Sequence, residues 1–253
     1  MARNEIKKEH GLNSFWIRII AIAAMVWSFI SASEKFNMKN SALSDCMMWF
    51  SYTLFAFLLV EGVNKTTNRL LYLRRFAVFT MLSEVAYDLY KFGTPYEPSK
   101  QSIMFTLCIC LGLLLILDYF KRRFRNTVLD IILILALSVA AMNITRFVHS
   151  DFGKYGIMIP VVFYCSYDLS YPKIFEFTVM AAYSFYAKID TIISISINGL
   201  QYTVPITIFA ILALFVTWFY NEKRGPNALW LKIVFYLVYP ICLLVFFFLE
   251  NLN

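Results

Sequence analysis

The sequence predicts an all-α fold: a polytopic transmembrane helical bundle of about nine spans, with a cytoplasmic N-terminus. Three observations lead there. Of 253 residues, 60% are hydrophobic and 18% aromatic, more apolar surface than a soluble domain of this length can hide from water. Only 15% are charged, and the charges gather between apolar runs approaching the ~20 residues that a helix needs to cross a bilayer. Lysine and arginine are also shared unevenly between alternate connections, as the excess of basic residues in cytoplasmic loops requires.

The first apolar stretch, residues 15–33, ends in Ser31-Ala32-Ser33 and loosely imitates a signal-peptide cleavage site. It is one of many comparable stretches and reads as a retained helix. Further spans are expected at 42–62, 69–91, 102–119, 126–144, 155–170, 173–187, 203–221 and 231–249. The seventh is short. Residues 189–202 read as a loop, a re-entrant piece or the start of the eighth span, so eight or ten spans are alternatives. With nine, sixteen Lys and Arg fall inside, among them Arg69, Arg74, Arg75 and Lys121, and seven outside, among them Lys91, Lys100 and Arg146. No internal repeat or linker divides the chain. Residues 1–253 are expected to form a single integral membrane domain, multi-pass in the cell membrane, with the lipid bilayer as its first partner.

Net charge is +7, but no basic stripe is interleaved with stacking aromatics, so nucleic acid is not an expected partner. The five cysteines (Cys46, Cys108, Cys110, Cys165, Cys242) lie in apolar runs without metal-ligand spacing and read as small buried hydrophobes. The two histidines, His10 and His149, lie outside the helix interiors, so no metal site is expected. Asp151-Phe152-Gly153 matches a kinase tripeptide with no other kinase element beside it.

An ionisable group in hydrocarbon costs several kcal/mol and marks a candidate site. Glu84 and Asp88 stand four apart, on one face of the third span. Counting from Arg75 puts Glu84 about 13 Å deep, near the midplane. Such a pair suits proton transfer or amine binding; the structural alternative is a hydrogen-bonding pair that fixes packing. Glu61, Asp118 and Asp130 fall near helix ends, where snorkelling or capping accounts for them. Arg122, Arg123 and Arg125 form a basic run able to attract the phosphates of a nucleotide-like cofactor; topological retention is the plainer account.

Several segments together resemble the TraX family. They are Phe55-Ala56-Phe57-Leu58-Leu59-Val60-Glu61-Gly62, then Ser83-Glu84 with Asp88, and Phe105-Thr106-Leu107. Asp151-Phe152-Gly153-Lys154-Tyr155-Gly156, Tyr220-Asn221-Glu222-Lys223-Arg224-Gly225, and Phe235-Tyr236 with Tyr239-Pro240 complete the set. The resemblance implies a bacterial membrane scaffold whose founding activity is N-terminal acetylation of conjugative pilin, with acetyl-CoA as the donor if the chain is enzymatic. Typical members carry Asp-His where this chain has Ser28-Phe29, and His where it has Ile241-Cys242. An Arg of the pattern aligns with Trp49. Histidines at 29 and 242 would lie at similar depth and serve as base or acetyl carrier.

Two readings lead. One is a catalytically degenerate acetyltransferase relative that binds a peptide or membrane-protein partner. The other is an active membrane acetyltransferase acting on a peptide or pilin-like amine, with Glu84, Asp88 or Cys242 replacing the histidines. A transporter using the Glu84/Asp88 face is a third. The topology gives the first prediction. In a background without native cysteines, a cysteine at Arg123 is labelled only from the cytoplasmic side and one at Tyr96 only from outside. Labelling of both from one side removes the nine-span arrangement.

Overall fold

The computed structural model describes residues 11–36, 41–124, 126–167, 169–186, 192–197, 200–223, 225–226 and 229–251. Each expected span coincides with one α-helix among these residues. They are α1 (Ser14–Ala32), α2 (Ser41–Lys65), α3 (Arg69–Phe92), α4 (Ile103–Phe124), α5 (Thr127–Phe147), α6 (Gly153–Ser166), α7 (Pro172–Tyr186), α8 (Ile208–Trp218) and α9 (Leu229–Asn251). Five of them, α1, α2, α4, α5 and α9, are long and apolar enough to cross a membrane. The chain is a helical integral membrane protein. Helix α3 matches them in length at 24 residues but carries three arginines and two carboxylates. Helices α6, α7 and α8 have 14, 15 and 11 residues. At about 1.5 Å per residue each falls short of the ~30 Å hydrocarbon core.

The ambiguous stretch before α8 contains a hairpin. Strands β1 (Ile192–Ile197) and β2 (Leu200–Pro205) pair antiparallel, from Ile192 opposite Pro205 to Ile197 opposite Leu200. The sequence explains it. Ile and Ser alternate from Ile193 to Ile197 with the period of a strand, and Asn198-Gly199 is the pair favoured by two-residue hairpin turns. Helix α8 therefore starts at Ile208, later than the expected 203. Residues 189–191, 198 and 199 lie outside the described residues.

Helix ends are closed by the chain itself, which matters where water is scarce. Asn13, Asn68 and Asn126 cap α1, α3 and α5, their side-chain oxygens accepting N–H groups of the first turn. Gly93, at φ +71°, ends α3 in the left-handed conformation that such a terminus favours.

The chain forms two compact units. One comprises Met1–Leu58 and Ser166–Ala228, the other Leu59–Cys165 and Leu229–Asn253. In the first, Ile17 and Ala21 of α1, Leu54 of α2 and Ala213 of α8 are fully buried together. The alanines suit close approach between helices, and Ser51 Oγ donates to the Ala21 carbonyl at 2.8 Å. The chain before α1 is clasped by the segment after α8. Leu12 N–H donates to the Phe219 carbonyl at 2.7 Å, Asn221 N–H to the Leu12 carbonyl at 2.9 Å, and Ser14 N–H to the Lys223 carbonyl at 3.0 Å. The Ser14 and Tyr220 hydroxyls lie 3.0 Å apart. Glu176, buried on α7, accepts from Ser166 Oγ at 2.7 Å and Trp218 Nε1 at 3.0 Å.

In the second unit, α3 packs against α4 and α9, and α4 against α5. Leu111, Leu114 and Ile157 are fully buried. Tyr236 of α9 stacks on Phe79 of α3 with ring centroids 4.8 Å apart. Gly62 faces Tyr72 so closely that an added Cβ would meet the Tyr72 hydroxyl oxygen at 2.6 Å. Gly62→Ala should therefore destabilise the protein by about 1–3 kcal/mol, as overpacking does. Thermal unfolding in detergent checks this. Tyr72→Leu in the same chain should restore most of the loss, and equal melting of the native protein and Gly62→Ala would contradict the crowding.

A candidate functional site on α3, α4 and α9

Glu84 and Asp88 lie one turn apart on α3, and the chain after Gly93 folds back along them. Asp88 Oδ2 accepts from the Glu97 N–H at 2.9 Å. One turn deeper, the Glu84 carboxylate accepts from the Ser102 N–H at 3.0 and 3.2 Å and from Ser102 Oγ at 2.7 Å. Ser102 is fully buried and directly precedes α4. Helix α4 thus begins beside Glu84, roughly two turns short of the end of α3, with a carboxylate against its positive N-terminal end. The midplane carboxylate expected from residue counting is a clip that fastens the connection to α3.

The network continues to the turn before α6. Gln101 and Ser150 form a bridge, with the Asp151 N–H donating to the Gln101 carbonyl at 2.8 Å. Thr106 Oγ1 lies 3.0 Å from Ser150 Oγ and donates to the Asp151 carbonyl. The Tyr87 hydroxyl donates to Asp151 Oδ2 at 2.8 Å, and Lys100 Nζ lies 3.5 Å from Oδ1. The turn is tight, with His149, Phe152 and Gly153 all at positive φ. Tyr239 of α9, buried, reaches the Ile103 backbone and lies within electrostatic reach of Glu84 and Asp151. Three carboxylates and two phenols thereby share one site. Asp88 Oδ1 is the one carboxylate oxygen of the set that is buried with no donor among the described residues. The arrangement can accept hydrogen bonds and hold a proton, but no member carries a basic nitrogen lone pair.

The structure brings Glu84 and Asp88 together as expected and adds Tyr87, Ser102, Thr106, Asp151 and Tyr239, which sequence reasoning did not assign. Cys242 stands one turn beyond Tyr239, half-buried, and makes no hydrogen bond among the described residues. Arg122 and Arg123 lie at the far end of α4, about 30 Å from Ser102 by helix rise. The Arg122 Nε–H donates to Asp118 at 3.1 Å, and Arg69 pairs with the same carboxylate. Arg123 is exposed, and Arg125 lies outside the described residues. Among the described residues, no cluster of His, Cys, Asp or Glu could hold a metal ion.

The site gathers four of the segments that carry the resemblance: Ser83-Glu84 with Asp88, Thr106, Asp151-Phe152-Gly153, and Tyr239. The family model described as TraX protein matches residues 14–250. The chain belongs to the TraX family. No curated protein and no solved structure matches it. Two other TraX segments have structural duties of their own. Tyr220-Asn221 clasps the chain before α1, and Gly62 admits Tyr72. On α1, Ser28 is fully buried with its Oγ 3.1 Å from Ser44 Oγ, and Phe29 is buried beside it.

The clip carries a measurable load. Glu84→Gln leaves one of its two oxygens replaced by a donor facing Ser102, and should cost about 1–3 kcal/mol. Glu97→Gln, which changes a partly exposed side chain while Asp88 holds only the backbone N–H of that residue, should melt within error of the native protein. Equal melting of the two variants would show that the Glu84 contacts carry no weight.

Proposed function

We propose that this TraX-family chain is a catalytically degenerate member that resides in the cell membrane and uses its scaffold to bind a peptide or membrane-protein partner. The observation that carries this reading is the pair Ser28-Phe29. A buried phenyl ring has no lone pair with which to take a proton from an amine, and the Ser28 hydroxyl is already paired with Ser44. Neither Glu84 nor Cys242 takes the place of the missing imidazole. Glu84 is held by Ser102, and Cys242 lies on an apolar helix without a base beside it to activate the thiol. Of the arginines that could attract the phosphates of acetyl-CoA, Arg122 gives its Nε–H to Asp118 and Arg123 is exposed.

Acetyl transfer tests the proposal. Purified protein given acetyl-CoA and a pilin-like peptide amine should bind the peptide saturably and acetylate it no faster than buffer does. Ser28→Asp, Phe29→His and Cys242→His together would restore the residues that the family pattern carries, and acetylation by this triple variant alone would support lost chemistry on a retained scaffold. Robust acetylation by the native protein would overturn the reading. Loss of that activity in Cys242→Ala would then assign an acyl-cysteine, and loss in Glu84→Gln a carboxylate base. Absence of peptide binding would remove the partner.

A further inference from the structure

Arg74 and Arg75 stand out on α3. The helix turns 100° per residue, so its exposed face is traced by Leu71, Val78, Met81 and Leu82, all open large hydrophobics. Arg74 and Arg75 are exposed on that same face, and neither forms an ion pair among the described residues. Asp118, the carboxylate at this end of the α3–α4 pair, is taken by Arg69 and Arg122. Two full positive charges therefore emerge from an apolar, lipid-facing stripe.

Their depth is informative. The 24 residues of α3 span about 36 Å, enough to cross ~30 Å of hydrocarbon, and Arg74 and Arg75 lie about 8 Å along it from its N-terminal end. Side chains on a helix tilt toward its N-terminus, and for α3 that is the near membrane surface. Both guanidiniums are thus aimed up at the headgroup layer while their stems remain among acyl chains. We propose that Arg74 and Arg75 form a binding site for the phosphate of an anionic phospholipid, whose chains lie along Val78, Met81 and Leu82. A soluble phosphate compound would meet the same guanidiniums but would gain nothing from the apolar stripe beneath them. Guanidinium planes donate in pairs to phosphate oxygens, which suits this position better than a point charge does.

Native mass spectrometry of the protein in nonionic detergent, titrated with phosphatidylglycerol, tests the assignment. Phosphatidylcholine and inorganic phosphate are the comparison ligands. Phosphatidylglycerol should bind well below the concentration at which phosphatidylcholine binds. Arg74→Gln/Arg75→Gln should weaken it about 25-fold, the product of about fivefold for each arginine. Arg146→Gln/Lys154→Gln, which removes the same charge from the opposite end of the unit, should leave it unchanged. Both arginines are exposed, so the double variant should melt with the native protein in lipid-free detergent. If it does not, the single variants and Arg74→Lys/Arg75→Lys carry the test, with intermediate weakening expected. Equal binding of both lipids, or equal losses in the two double variants, would overturn the site. Inorganic phosphate binding that depends on Arg74 and Arg75 and matches the lipid in strength would show that the ligand is not a lipid.

Discussion

A carboxylate within a membrane helix is tolerable only where the chain supplies its hydrogen-bond donors, and in this protein that constraint determines the course of the second unit. Glu84 and Asp88 cannot be served by α3 itself, whose N–H groups are consumed in its own ladder. They are served by backbone N–H groups of the following connection, at Glu97 and Ser102. For those donors to arrive, the chain must leave α3 at Gly93, reverse, and travel back beside it. That return fixes where α4 starts. It also places Thr106 against the turn that opens α6, and that turn against Tyr87. Relaxing the two carboxylates would leave the entry to α4 without an anchor.

The balance of polar groups differs between the two ends of α3. At one end three carboxylates gather with Lys100 and Lys91 nearby, and donors come mainly from backbone and hydroxyl groups. At the other, Asp118 is outnumbered by arginines, two of which satisfy it. The first arrangement rigidifies a connection, because each bond constrains the path of the main chain. The second constrains little beyond the relative height of α3 and α4, since long arginine side chains adapt to their surroundings. TraX membership accounts for the scaffold in which both occur.

Helix positions were legible because each depends on one local quantity, a run of apolar residues bounded by charge, and because asparagines at 13, 68 and 126 stand where helices need caps. The hairpin before α8 was legible in principle. The Ile-Ser alternation and the Asn198-Gly199 pair both announce it, but a reading tuned to apolar runs weighs total hydrophobicity above its period. The partners of Glu84 were not legible. Ser102 lies 18 residues away, and nothing local says that a chain containing Gly93, Pro95 and Pro98 will double back along its own helix. Asp151 was visible only as part of a tripeptide without its usual company, since its role depends on Tyr87 and Thr106 from two other helices. Glu176, held by Ser166 and Trp218, was hidden for the same reason: both its partners lie on other elements.

The clasp around the start of α1 has a consequence for the order of assembly. Ser14 and Tyr220 are separated by 206 residues. The first helix emerges from the ribosome early, yet the backbone groups that hold its entry belong to residues 219–223, made after most of the protein. Unit one is therefore an early segment waiting for a late one, with much of unit two synthesised in between. Contacts of such long range impose a slow closing step, because a large loop must be ordered before any bond rewards it. A nascent chain cut off before residue 219 would lack every backbone partner that fastens the entry to α1 among the described residues.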